Sequence, residues 1–184
     1  FTQASYSASV NDTDSAGTQL VTATATDADA NTTLVYSITA GNGSGLFSMD
    51  SSSGAVSTAG SLLNNSGSHS LTLSASDGTN AGTTTLAVTV ADLTAPSTPT
   101  LNGSASTIDN TPTWTGTAEP NSTVTVYSAG ASLGQTSADG NGDYSFTPGT
   151  ALADGTYSIT ATSTDGAGNI SVASSTFSLL IDTA

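Results

Sequence analysis

Along most of this chain, apolar and polar residues alternate with a period of two. Leu71, Leu73 and Ala75 are interleaved with Thr72 and Ser74, and Leu86, Val88 and Val90 with Ala87 and Thr89. Such alternation turns one face of a strand inward and leaves the other to solvent. On this basis the first half holds strands at "SYSASV", "TQLVTATAT", "TLVYSIT", "GLFSM", "GAVST", "HSLTLSAS" and "TTTLAVTV", separated by Gly, Asn and Ser turns. Short strands at this spacing predict a β-sandwich over residues 1–92. No stretch shows sustained helical spacing of apolar residues.

The phrase "ADLTAPSTPT" interrupts the alternation. Residues 93–97 are read as a linker, and Pro96 and Pro99 stiffen this stretch and bar a helix. The alternation then resumes over residues 98–184, at "TPTWTGTA", "STVTVYSAG", "SLGQTSA", "GDYSFTP", "GTYSITATST" and "STFSLLI", with a first edge strand near "TPTLNG". Tyr157, Ile159 and Ala161 share one face; Phe177, Leu179 and Ile181 share another; Trp114, Val124 and Val126 complete the expected core. The expected fold is all-β: two tandem Greek-key β-sandwiches arranged as an elongated rod.

Composition narrows the chemistry. Hydrophobic residues make up 35% of the chain and aromatics 5%, so each core is lean. There are 14 acidic residues and no Lys or Arg, for a net charge of −14. Lys–carboxylate and Arg–carboxylate pairs are therefore excluded, as is a basic patch for nucleic acid or an anionic membrane. Clustered carboxylates must stay solvated, take up protons or hold a cation. Cysteine is absent, which removes disulfides, thiolate metal sites and Cys nucleophiles. No apolar run is long enough for a transmembrane helix. His69, the only histidine, has no partner constellation for catalysis and is read as solvated or structural.

The first half resembles a cadherin repeat. The resemblance rests on "YSASVNDTDSAGT", "ATDADANTTLVYSI", "GNGSGLFSMDSSSGAVST", "LTLSASDG" and "VTVADLTAP", in that order. In this pattern Asp12 stands where a Glu is usual, Asp27 and Asp29 form the acid-x-acid motif, Asp77 is the late Asp, and Asp92 is the first linker acid. Two features depart from it. Asn64, Asn65 and Ser66 occupy the place of the mid-domain acidic motif, and the linker lacks its second Asp. The second half is similar to the immunoglobulin-like repeats of large bacterial surface adhesins, through "GTAEPNSTVTVY", "ADGNGDYSFTP" and "LADGTYSITATSTDGAGN". Together these resemblances imply an extracellular or cell-surface location and calcium as the bound cation.

Calcium takes six to eight oxygen ligands, and no short loop here supplies them alone. "DADANT" and "DGNGDY" begin like EF-hand loops, but Thr32 and Tyr144 stand where Gly is required. A sandwich can instead gather ligands from loops at one pole. In the usual strand order the second-to-third loop, with Asp27 and Asp29, and the sixth-to-seventh loop, with Asp77, meet where the chain enters the domain. The same geometry in the second half groups Glu119, Asp165 and linker Asp92, with Asp12 reaching across from the first half. Asp182 repeats the position of Asp92, which suggests one unit of a longer tandem array. Solvated turn acids are the alternative for all of these residues, and a plain hairpin turn is the reading for Asp139, Asn141 and Asp143.

The expected function is a structural extender or adhesion repeat of a long bacterial surface protein, stiffened by calcium at its junctions. Its partners would be neighbouring repeats. A self-assembling filament subunit or a carbohydrate- or protein-binding module are the alternatives. Short loops make a poor substrate cleft and no catalytic motif is present, so the chain is not expected to be an enzyme.

Overall fold

The computed structural model describes residues 1–29 and 32–184; Ala30 and Asn31, in the middle of the "ATDADANTTLVYSI" phrase, lie outside the described residues. The chain divides into two compact units, Phe1–Thr94 and Ala95–Ala184. Each is a β-sandwich, and no helix occurs among the described residues.

In the first unit β1 (Ser5–Asn11), β7 (Ala81–Ala91), β6 (Gly67–Ser76) and β3 (Val35–Ala40) form one sheet in that order. β2 (Gln19–Thr22), β5 (Ala55–Thr58) and β4 (Phe47–Met49) form the other. β1 runs parallel to β7, with Tyr6 opposite Leu86 and Val10 opposite Val90. β6 and β7 pair antiparallel over their length, Leu71 against Leu86. The period of two is met residue by residue: Leu71, Leu73, Leu86, Val88 and Val90 are buried in one core with Phe47, Val56 and Leu62, and Ala75 is buried as well.

The expected second strand is longer than the observed one. β2 ends at Thr22, and just beyond it the amides of Thr24 and Ala25 leave the ladder for the hydroxyls of Tyr6 and Tyr36. Ala23 N–H donates to the carbonyl of Gly54 at 2.9 Å. Gly54 has φ +73°, and a Cβ there would lie 2.2 Å from the Ala23 carbonyl oxygen. Gly54→Ala should therefore destabilise the first unit by about 1–3 kcal/mol through backbone strain and steric contact. Urea denaturation of the whole chain would register this as a lower midpoint of the first unit alone.

In the second unit β11 (Ala131–Ser137), β10 (Thr123–Ser128), β13 (Gly155–Thr164), β14 (Phe177–Ile181) and β8 (Ser106–Thr107) form one sheet, and β12 (Asp143–Phe146) pairs with β9 (Trp114–Thr117) in the other. The edge strand expected near "TPTLNG" is divided between the sheets. Thr100 and Asn102 bond to Thr117 and Thr115 of β9, whereas β8 crosses over to run parallel to β14. Trp114, Val124, Val126, Ile159, Ala161, Leu179 and Ile181 are buried as the alternation requires; Tyr157 and Phe177 pack at the margin of the core.

Candidate metal centre

Two tyrosines position the loop that follows β2. Tyr6 Oη accepts from Thr24 N–H and donates to the Thr24 carbonyl, both at 3.1 Å. Tyr36 Oη accepts from Ala25 N–H at 3.1 Å. Both rings are buried, and the ring of Phe1 stands edge-on to each at 6.3 Å. The backbone entering Asp27 is thus anchored from the opposite sheet. Asp27 then closes a local turn, its Oδ1 accepting from Asp29 N–H at 2.8 Å. Asp77 heads the β6–β7 hairpin, where its Oδ1 accepts from Asn80 N–H and from Thr79 N–H at 2.7 Å. Those two amides hold the Asp77 carboxyl below the usual aspartate range.

The two loops converge. One carboxylate oxygen from each of Asp27, Asp29 and Asp77 lies within 4.8 Å of the others. Two oxygens on one calcium ion can be no further apart than twice the Ca–O distance, or about 4.6–5.2 Å, so the set fits a single coordination sphere. The donors are all carboxylate oxygen, which suits a hard cation and not a soft one. Phe1, Ala25, Asp27, Ala75, Asp77 and Asn80 line a concavity beside them. With no Lys or Arg in the chain, no side-chain ammonium or guanidinium offsets their repulsion. Unit charges about 4 Å apart repel by about 1 kcal/mol in bulk water and about 4 kcal/mol near a protein surface.

The remaining acids named from sequence have other surroundings. Asp12, at the end of β1, is only 3% exposed. Its Oδ2 accepts from Thr94 Oγ1 and its Oδ1 from Leu93 N–H at 2.9 Å, and these bonds, that of Thr94 foremost, hold its carboxyl below the usual range. Asp92 Oδ1 accepts from Thr94 N–H at 3.2 Å. Glu119 and Asp165 flank the paired ends of β10 and β13, where Thr123 faces Thr164, so both lie at one pole of the second unit. Asp165 is wrapped by its own loop. Its Oδ1 accepts from the amides of Ala167 and Asn169, and its Oδ2 from Asn169 Nδ2. Burial opposes ionisation of Asp165, but these bonds outweigh it and lower the pKa. Among the described residues of the second unit, no three carboxylates converge as Asp27, Asp29 and Asp77 do. Asp182 Oδ1 accepts from Ala184 N–H at 3.3 Å. Asp139 Oδ1 accepts from the amides of Asn141 and Asp143, the geometry of a turn-forming aspartate. His69 Nε2 lies 2.9 Å from the Asn65 carbonyl oxygen, and its ring packs edge-on against Phe47.

Sequence reading missed Tyr6 and Tyr36 as supports of the site, and Asp154, which bonds Thr183 near the C-terminus. The tyrosines are isolated aromatics in Ser- and Thr-rich strands, which is a visible signal, but the backbone groups they hold lie in other strands and loops.

The family comparisons agree with this architecture. A model described as bacterial Ig-like domain matches residues 85–183, more than half of the chain. The chain belongs to the bacterial Ig-like family. Ahead of that domain a cadherin domain model matches residues 6–91. The protein is thus a cadherin-like domain followed by a bacterial Ig-like domain, repeat types typical of adhesion and extracellular extender modules. No curated protein sequence matches it significantly.

Solved cadherin structures share the fold. The EC1-4 region of Drosophila N-cadherin superposes with TM-score 0.61 at 18% identity, over 97% of this chain and 48% of that one. A protocadherin gamma B7 EC3-6 cis-dimer gives 0.64 at 17%, over 99% and 47%. Mouse cadherin-23 EC22-24 gives 0.59 at 21%, over 98% and 63%. The cadherin–Ig-like chain spans about half the length of the first two.

Proposed function

We propose that this cadherin–Ig-like pair is a calcium-binding extender or adhesion repeat of a bacterial surface protein, acting outside the cell and interacting chiefly with neighbouring repeats. The observation that supports it is the convergence of Asp27, Asp29 and Asp77 within 4.8 Å of one another in a chain with no Lys or Arg. Their three oxygens would hold one calcium ion, with water and further oxygens completing the shell. When bound, the ion would offset two of the three carboxylate charges and tie the β2–β3 loop to the β6–β7 hairpin. A second ion held by Glu119 and Asp165 at one pole of the Ig-like unit belongs to the same proposal, as do Asp92 and Asp182, the acids that follow the last strand of each unit. The work of such a module is mechanical, and it needs no catalytic group.

Calorimetric titration of the whole chain with calcium provides the test. Asp27→Asn combined with Asp29→Asn should remove one binding event or weaken it at least about tenfold, while the sandwich stays folded, because both side chains are exposed. An isotherm unchanged by the double substitution would return these residues to the role of solvated turn acids. Loss of a second event in Glu119→Gln and Asp165→Asn would separate the two ions.

A further inference from the structure

The two units belong to different families, yet the chain leaves the last strand of each through the same arrangement. After β7 the sequence reads Asp92-Leu93-Thr94, and after β14 it reads Asp182-Thr183. In both places the Asp caps a turn, Asp92 Oδ1 accepting from Thr94 N–H and Asp182 Oδ1 from Ala184 N–H. In both places the following Thr is gripped by an aspartate from a different part of its own unit. In the first unit, Asp12 accepts from Leu93 N–H at 2.9 Å and from Thr94 Oγ1 at 2.5 Å. In the second, Asp154 Oδ1 accepts from Thr183 N–H at 3.1 Å and from Thr183 Oγ1 at 2.8 Å.

We infer that this aspartate–threonine clasp is a built-in, cation-independent device that sets the path of the chain as it leaves each sandwich, and that Asp12 serves it rather than calcium. Three features point this way. The Asp12 side chain is buried in a chain with no Lys or Arg, so its charge depends on hydrogen-bond donors, and the linker supplies them. Asp12 is itself fixed, its N–H donating to the Ala91 carbonyl at 2.9 Å and continuing the β1–β7 ladder. Swinging the carboxylate toward a cation would strip Leu93 and Thr94 of their acceptor and release the linker. The recurrence on Asp154, which lies in the β12–β13 loop whereas Asp12 follows β1, means that the arrangement does not depend on one position in the fold.

The inference does not rest on calcium binding at the Asp27 pole, and the test is run with chelator present. Amide hydrogen exchange is followed by NMR on the whole chain, with Val88 of β7 as the reference for an intact sandwich. In the native protein Leu93 and Thr183 should exchange at least about tenfold more slowly than unstructured amides, as a charge-assisted hydrogen bond implies. Asp12→Ala should abolish the protection at Leu93 and leave Thr183 as it was; Asp154→Ala should do the reverse. Thr94→Val removes only the hydroxyl donor and should raise Leu93 exchange severalfold, so it decides the matter if Asp12→Ala proves too unstable to study. The inference is overturned if Leu93 exchanges at the unstructured rate once calcium is chelated, or if its protection persists in both Asp12→Ala and Thr94→Val.

Discussion

Calcium at a hundredfold excess over its dissociation constant should raise the melting midpoint of the cadherin unit by about 10–20 °C. A cation that binds only the native state adds RT ln(1 + [Ca]/Kd), about 2.7 kcal/mol at that excess. For a domain of this size each kcal/mol moves the midpoint by about 4–8 °C. The gain arises because Asp27, Asp29 and Asp77 are held within 4.8 Å of one another by loops anchored on Tyr6 and Tyr36, so the native state carries a repulsion that the unfolded chain relaxes. The comparison is a melt in calcium against one in chelator, with sodium chloride matching the ionic strength, since the charge of −14 makes general screening stabilising too. Magnesium should substitute poorly, because it demands tighter octahedral geometry. The Asp27→Asn, Asp29→Asn protein should lose most of the shift. Equal midpoints in calcium and chelator would rule out a native-state site of this kind.

The second large effect belongs to the Ig-like unit. Trp114 is 1% exposed, stacks on Phe146 with ring centroids 6.2 Å apart, and is covered by Gly103, where a Cβ would come within 2.7 Å of its ring. Trp114→Ala should cost about 3–5 kcal/mol, the range for removing a large buried aromatic. That is a large share of the stability of a small domain. Trp114 is also the only tryptophan, so its emission reports on the unit in the native protein. In the variant, far-ultraviolet dichroism should show an early unfolding step for residues 95–184, while the calcium response of the cadherin unit is kept. A single transition displaced as a whole would mean that the two units unfold together.

These results would extend a reading that the chain already carries in part. The strands were legible because burial of one sheet face imposes a local, repeating constraint: Leu71, Leu73 and Ala75, or Leu86, Val88 and Val90, announce themselves within five residues. The order of the strands also placed Asp27, Asp29 and Asp77 at one pole, since alternate loops of a sandwich fall at the same end. Where strands stop was less legible. β2 ends early because Thr24 and Ala25 bond the hydroxyls of Tyr6 and Tyr36, and the first strand of the second unit divides at Gly103, where Trp114 leaves no room for a Cβ.

By itself, then, the sequence determined the all-β class, the two-sandwich organisation, the core faces and the acidic loops, because each depends on neighbours one or two positions away. Only the tertiary structure decided which acids stand close enough to fit one coordination sphere and which hold the backbone. Asp12 and Asp27 are equivalent as letters, each an aspartate at the end of a strand-like phrase. One is buried beneath Leu93 and Thr94, 81 and 82 positions away in the chain, and the other stands exposed beside Asp77. Hydrogen-bond donors and competing charges act over a few ångströms in space. When they come from residues so distant in sequence, no local pattern records them.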